Sequence, residues 1–390
     1  MLATAAWLPA LPPFLLASVV CIPGVVGSMW LAQRLGAVAR PDDARHLHAQ
    51  PTPRLGGLAM FAGFATAVLV FGGGVAARWP LLIVCGAVTV AMAVDDVVDL
   101  PWWQKLIIIA GAGVALFAMG INIPFIALPG GHLLNLGWLA FPATVLWVSG
   151  MQVSINFLDG SDGVAAGVVA IVAVITMLAA INRVSGPGDV QSGVIVLSGA
   201  LMGCCTGFLV FNLPPARVFM GDSGANFLGV ALAVITIVGV AKVAVGLSIL
   251  VPIVALGVPI SDTAFAIVRR RRAGVSPATP DAGHLHHRLK ARGMSAMETA
   301  LTFYLATGVL GALGLAIFGH RKILDVAIVL LALGVFGLLY RNHRRQKRVE
   351  PGAVAGRPAA ADHEQEQEPE SWVSLDQALP ARPSRIDERD

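Results

Sequence analysis

Charge is what this sequence has least of. Asp, Glu, Lys and Arg together make up 13% of its 390 residues, where a soluble domain carries about 25%. Too few charged side chains remain to coat a water-facing fold, and a mean hydropathy of +0.76 points to lipid as the main solvent. A net charge of only +4 offers no basic surface of the kind nucleic acid needs, so no nucleic-acid partner is expected. Cysteine is scarce as well. Cys21, Cys85, Cys204 and Cys205 all fall inside apolar stretches, which suits small core hydrophobes better than disulfides or a thiolate metal site. No Lys or Arg precedes the first apolar run. That run therefore lacks the positive leader of a cleavable signal and reads as a first membrane span.

What is abundant is apolar sequence in lengths that cross a bilayer, about 20 residues each. Eleven runs qualify: 10–32, 55–76, 80–94, 102–119, 138–155, 163–181, 191–211, 224–240, 246–268, 298–317 and 323–340. The third is short and begins at a proline. The expected fold is an all-α membrane protein of about eleven transmembrane helices. Lys and Arg in the segments after odd-numbered runs, with the tail, outnumber those elsewhere by about four to one. The positive-inside rule then puts the N-terminus outside and the C-terminus in the cytoplasm. Residues 1–340 form one membrane domain, with a long cytoplasmic loop at 269–297. Residues 341–390 open on R-N-H-R-R-Q-K-R and turn rich in Pro, Ala and Glu, the composition of a disordered tail whose basic start rests on anionic headgroups.

The few ionisable residues of the body collect beside odd-numbered exits. Asp95, Asp96 and Asp99 follow the third run, and Asn156, Asp159 and Asp162 the fifth. Arg217, Asp222 and Ser223 follow the seventh. Arg269 to Arg272 and then His284, His286, His287 and Arg288 follow the ninth, and Arg54 follows the first. An apolar protein has no packing reason to gather carboxylates on one side, so a site at the cytoplasmic interface is expected, roofed by the 269–297 loop. Adjacent carboxylates such as Asp95 and Asp96 repel each other unless a divalent cation or a lysine lies near; otherwise the stretch is an ordinary acidic loop. N-F-L-D-G-S-D-G presents oxygens at spacings that suit a hard cation or sugar hydroxyls, or else is an Asp/Gly turn. F-M-G-D-S-G allows close approach of the backbone to a ligand, or simply caps the next helix. G-H-L-H-H-R-L suits phosphate more than zinc, because the cysteines are elsewhere. The arginine run reads as a topology anchor, and Asp262 as half of an interhelical pair. Taken together, the groups suggest Mg²⁺-dependent phosphoryl chemistry between a soluble phosphorylated substrate and a lipid.

These same residues carry a resemblance. P-T-P-R-L-G-G at 51–57, D-D-V-V-D-L at 95–100, N-F-L-D-G-S-D-G at 156–163, F-M-G-D-S-G at 219–224 and P-I-S-D-T-A-F-A-I-V-R-R at 259–270, running on to H-L-H-H-R-L at 284–289, stand in the order of the polyprenyl-phosphate N-acetylhexosamine-1-phosphate transferases. The chain resembles that family over about residues 30–300. The resemblance implies transfer of a sugar 1-phosphate from a UDP-sugar to a polyprenyl phosphate at the cytoplasmic face of a bacterial plasma membrane, with release of UMP. It implies Mg²⁺, with Mn²⁺ as a substitute, held by Asp222 and Asn156. Asp95 and Asp96 would be the catalytic carboxylates. Asp159, Asp162, His284, His286, His287, Arg288 and Arg54 would bind substrate. The H-L-H-H-R-L form resembles the branch that uses UDP-N-acetylglucosamine, and the first membrane step of a cell-envelope glycan pathway is the implied role. The family also allows a homodimer. Two departures stand out: Val153 lies where the family usually has a further Asn, and Ser161 where an apolar residue is usual. The pentapeptide transferase that uses UDP-N-acetylmuramoyl-pentapeptide is the nearest rival. A transporter is a more distant one, because transporters place their binding groups near the midplane rather than at span exits.

Overall fold

The computed structural model describes residues 7–39, 51–127, 133–181, 189–240 and 294–317, with Phe265, Val268, Arg271 and Arg272 as isolated helical positions. The chain divides into two units, Met1–Gly337 and Leu338–Asp390; every described residue belongs to the first. The second unit, the 269–297 loop's histidines and the runs expected at 246–268, apart from Phe265 and Val268, and at 323–340 lie outside the described residues.

Among the described residues nine helices follow one another: α1 (Leu11–Leu35), α2 (Gly56–Phe71), α3 (Arg78–Val98), α4 (Trp102–Ala118), α5 (Ala140–Leu158), α6 (Val164–Ile181), α7 (Val190–Asn212), α8 (Gly221–Val240) and α9 (Ala296–Ile317). Seven of the nine are long and apolar enough to cross a membrane; α2 and α4 are shorter apolar helices. Two small antiparallel pairs join them. β1 (Val38–Ala39) meets β2 (Thr52–Pro53), and β3 (Phe125–Ala127) meets β4 (Leu133–Asn135).

Two helix ends are set by local chemistry. α1 carries prolines in its first turn, where no N–H is missed, and stops at Gly36 in the left-handed conformation. α9 starts on a capping box: Ser295 Oγ accepts from the Glu298 N–H at 3.2 Å and the Ser295 N–H donates back to Glu298 Oε2 at 2.6 Å.

Small residues bring the helices together. Gly199, Gly203 and Gly207 form a stripe on α7 that lies against Ala10 and, on α1, Phe14, Ala17, Ser18 and Cys21, so that a methyl group on any of the three would strike that backbone or Cys21. Across this contact Ser18 Oγ donates to the Gly203 carbonyl at 3.0 Å. Lipid tails are as apolar as leucine, so close packing and such hydrogen bonds supply the adhesion that the hydrophobic effect supplies in water. All four cysteines are buried and free, as expected of core hydrophobes. Leu15, Val19, Val26 and Trp30 line an exposed apolar face of α1, which in a water-soluble protein would be an aggregation hazard and here faces lipid.

The third apolar run proves longer than its sequence suggested. α3 begins before the proline, which occupies its first turn, and continues through Val98, so Asp95 and Asp96 belong to its last turn instead of following it. Asn156 likewise lies in the last turn of α5, and Asp222 in the first turn of α8.

Candidate active site

The start of α8 is fixed by a backbone interlock. The Gly56 and Gly57 N–H groups donate to the carbonyls of Phe219 and Met220 at 3.0 and 2.9 Å, and the Phe219 N–H donates to Pro53 at 2.8 Å. The R-L-G-G and F-M-G-D-S-G stretches, far apart in sequence, are thus zipped side by side. Gly57 has to be glycine, because a side chain there would overlap the backbone of Gly224.

Asp96 reaches across from α3 to cap this same helix. Its Oδ1 accepts from the Asp222 N–H at 2.8 Å and its Oδ2 from the Ser223 N–H at 3.1 Å. A carboxylate on the first N–H groups of a helix satisfies orphan donors and complements the helix dipole. Gly221 makes room for it: with φ at +69° and no side chain, it leaves the space that Asp96 and the Arg54 carbonyl occupy.

Beside this cap stands an ion cluster. Lys105 Nζ, from the first turn of α4, lies 2.8 Å from Asp95 Oδ2 and 3.1 Å from Asp222 Oδ2, with Asp99 farther off at 3.7 Å. Asn156 Nδ2 donates to the other oxygen of Asp222 at 2.8 Å. Asp95 Oδ1 accepts from the Leu100 N–H at 2.7 Å, which ties the carboxylate to the turn between α3 and α4. The side chain of Asp95 is 2% exposed, whereas those of Lys105 and Asp222 are 28% and 32% exposed. Asp95 is therefore the floor of the cluster, and Lys105 and Asp222 its open face. Two acidic groups this close repel each other, and the ammonium between them offsets that repulsion.

The turn after α5 lies close by. Asp162 is buried, and its Oδ2 accepts from the Ala216 N–H at 3.1 Å, holding the segment that leads into α8. Asn212 Oδ1 accepts from the Gly163 N–H at 2.9 Å, and the Tyr304 hydroxyl of α9 donates to the Gly163 carbonyl at 2.6 Å. Asp159 is half-buried at the end of α5. Burial, with the charges of Asp222 and Asp96 nearby, pushes its carboxyl well above the usual range, against the pull of the Arg54 guanidinium. Arg54 itself anchors through its N–H to the Ala37 carbonyl at 3.0 Å.

All these groups sit at one end of the bundle, where α3 and α5 finish and α2, α4 and α8 begin. Residues 79–240, which carry most of them, match the family described as glycosyl transferase family 4. The chain is 36% identical to the "Probable undecaprenyl-phosphate N-acetylglucosaminyl 1-phosphate transferase" of Bacillus subtilis (strain 168), over 70% of this chain and 75% of that one. It is 34% identical to the decaprenyl-phosphate N-acetylglucosaminephosphotransferase of Mycolicibacterium smegmatis (strain ATCC 700084 / mc(2)155), over 77% of this chain and 81% of that one. The chain belongs to glycosyl transferase family 4. A phospho-N-acetylmuramoyl-pentapeptide-transferase of Desulforudis audaxviator (strain MP104C) is 34% identical over 73% of this chain and 90% of its own.

Within this glycosyl transferase, the residues expected from sequence divide by location. Asp95, Asp96, Asn156 and Asp222 come together, and the charges of Asp159, Asp162 and Arg54 act within the same end of the bundle. His284, His286, His287 and Arg288 lie outside the described residues. Lys105 is the group that sequence reasoning missed. Its signal was present: it is the one Lys or Arg inside any of the eleven apolar runs, and a charge in such a run asks for a partner. Val153, the departure from the family pattern, is half-buried and packs against the apolar core.

Proposed function

We propose that the protein transfers N-acetylglucosamine 1-phosphate from UDP-N-acetylglucosamine to a polyprenyl phosphate, releasing UMP, at the cytoplasmic face of a bacterial plasma membrane. The observation that carries this reading is Lys105 held between Asp95 and Asp222, with Asn156 on the far oxygen of Asp222. It is a charged cluster at the end of apolar helices, where a soluble donor and a membrane lipid can meet. The names of the relatives support the choice of sugar and lipid.

The donor set suits Mg²⁺. Asp222, Asn156 and Asp95 offer hard oxygens, while among the described residues no three His, Cys, Asp or Glu side chains stand close enough to hold a metal alone. Mg²⁺ favours such a site, taking one or two carboxylates and completing its shell with water and substrate phosphate. When bound it neutralises pyrophosphate charge and stabilises the leaving nucleotide; Mn²⁺ suits the same oxygens. The protein's own groups do the rest. Lys105 on the open face attracts the donor's phosphates. Asp95 below it orients an oxygen of the acceptor phosphate or takes its proton. In the net reaction that oxygen bonds to the phosphorus bearing the sugar, and the bond from this phosphorus to UMP breaks. Asp96 keeps Asp222 in place through the start of α8, which gives it a supporting part beside the catalytic Asp95. Asp159, Asp162 and Arg54 border the donor.

The test is UMP release by the purified protein given UDP-N-acetylglucosamine and a polyprenyl phosphate, with and without Mg²⁺. Activity should need the metal and fall by about 100-fold or more in Asp222→Ala. Unchanged turnover in a folded Asp222→Ala protein sinks the metal assignment. A preference for UDP-N-acetylmuramoyl-pentapeptide in the same assay moves the protein to the other branch.

A further inference from the structure

The turn from Asp159 to Gly163 is fastened from outside by α9. The Tyr304 hydroxyl donates to the Gly163 carbonyl at 2.6 Å. That carbonyl already accepts the Gly167 N–H at 3.1 Å, in the first turn of α6. The tyrosine therefore takes its second lone pair and is not needed to satisfy it. The fit around the ring is as particular as the bond. A methyl group on Gly167 would overlap the far edge of the ring, hydroxyl included. Gly163 stands at φ +73°, where glycine is favoured, and a methyl group there would press on the same hydroxyl at 3.3 Å. Two glycines one turn apart thus leave the slot that the phenol fills.

The connection continues beyond Gly163. The Gly163 N–H donates to Asn212 Oδ1 at 2.9 Å, and Asn212 Nδ2 donates on to the Val218 carbonyl at 2.8 Å. Asn212 is buried, which makes each of these bonds costly to lose. Alongside, the Ala216 N–H donates to Asp162 Oδ2 at 3.1 Å, and the Arg217 N–H donates to the Phe211 carbonyl at 2.8 Å. A ladder therefore runs from α9 through the turn after α5 and the end of α7 into the segment that opens α8. It ends four residues short of Asp222. No rung of it comes from α3 or α4, the helices that carry Asp95 and Lys105.

We infer that Tyr304 is a positioning residue for the donor. Its hydroxyl locks the turn bearing Asp159 and Asp162 against the segment that leads to Asp222, so the groups that border the UDP-sugar keep their register. The part played toward the donor rests on the function proposed above; the lock itself does not. A tyrosine that only filled the slot would serve as well without its oxygen, which makes phenylalanine the deciding substitution.

Hydrogen exchange of the full chain in lipid nanodiscs reads the lock without turnover. In Tyr304→Phe, the amides of 159–167 and those of 212–219 should both exchange about tenfold faster than in the parent, with α1 unchanged. Unchanged exchange in either segment overturns the lock. Steady-state kinetics read the role. The KM for UDP-N-acetylglucosamine should rise about tenfold in Tyr304→Phe, as expected for one lost hydrogen bond, with the KM for the polyprenyl phosphate held within about twofold. An equal rise in both KM values, or a donor KM left unchanged, overturns the positioning role. Gly167→Ala is the second variant, since it keeps the hydroxyl but drives the ring off the Gly163 carbonyl. It should raise the donor KM in the same selective way, and a value equal to the parent's counts against the role. If the parent does not turn over UDP-N-acetylglucosamine, it is the proposed function that fails, and exchange still decides the lock.

Discussion

At the scale of single residues, the site is organised by one lysine. Lys105 meets Asp95 and Asp222 at 2.8 and 3.1 Å, so Lys105→Ala leaves two facing carboxylates without their counter-charge and the donor without a cation on the open face. The expected outcome is a loss in kcat/KM of about 100-fold, partly recovered in Lys105→Arg; equal losses in both variants would argue against a role for charge alone. Asp159 makes a prediction of opposite character. Its carboxyl is held well above the ordinary range by burial and by Asp222 and Asp96. In the unfolded chain it ionises near its usual value of about 4. Above that pH the folded state binds the extra proton, so its contribution falls as pH rises through the folded pKa and then levels off. Asp159→Asn should therefore gain thermal stability over the parent as pH rises above about 4. A difference that stays constant as pH rises from there would refute the shift. Lys105 also shows where reading the sequence stopped. The acids were legible because they cluster in short polar stretches, and a lysine among them was named as one way to make them comfortable. That lysine was marked by standing alone in an apolar run, but its partners were not legible, because only folding brings α4 beside α3 and α8.

At the scale of elements, the apolar runs marked the helices to within about five residues in the nine cases that the described residues cover, and seven of these are long enough to cross a bilayer while α2 and α4 fall short. Helix ends were harder. Asp95, Asp96 and Asn156 were placed after their spans and lie within them, since a carboxylate or amide in a last turn can point to the polar end of the bundle without ending the helix. The capping of α8 by Asp96 was invisible for a related reason: sequence patterns reveal caps from neighbouring residues, and this one comes from another helix. It depends on Gly221, where a methyl group would meet both Asp96 and the Arg54 carbonyl. Gly36 is a matched control, with φ at +75° and open space around it. Gly36→Ala should cost only the strain of the left-handed backbone, on the order of 1 kcal/mol. Gly221→Ala should cost clearly more and also weaken the response to Mg²⁺, as Asp222 is displaced. Equal drops in thermal midpoint for the two would mean that Asp96 adapts and that its cap does not hold the site.

At the scale of the whole molecule, alternating helix direction gathers chemistry from five helices at one end. The ends of α3 and α5 and the starts of α2, α4 and α8 share it because each lies an even number of crossings from the others. The proposal that this end faces the cytoplasm rests on charge: Lys and Arg crowd the segments on the same side as the acids, as the positive-inside rule expects of cytoplasmic segments. On that proposal a UDP-sugar, being charged, would reach the site from that compartment without crossing lipid. The native cysteines are all buried, so introduced ones can report sidedness over a low background. Arg217 is exposed between α7 and α8 at the site end, and Trp138 is 81% exposed just before α5, at the opposite end. A membrane-impermeant maleimide should label Arg217→Cys only in inverted vesicles and Trp138→Cys only in right-side-out ones. The reverse pattern would turn the protein over and put its site out of reach of cytoplasmic nucleotide. Labelling of both from a single side would mean that α5 does not cross the membrane, and the parity that unites the five helix ends would fail with it.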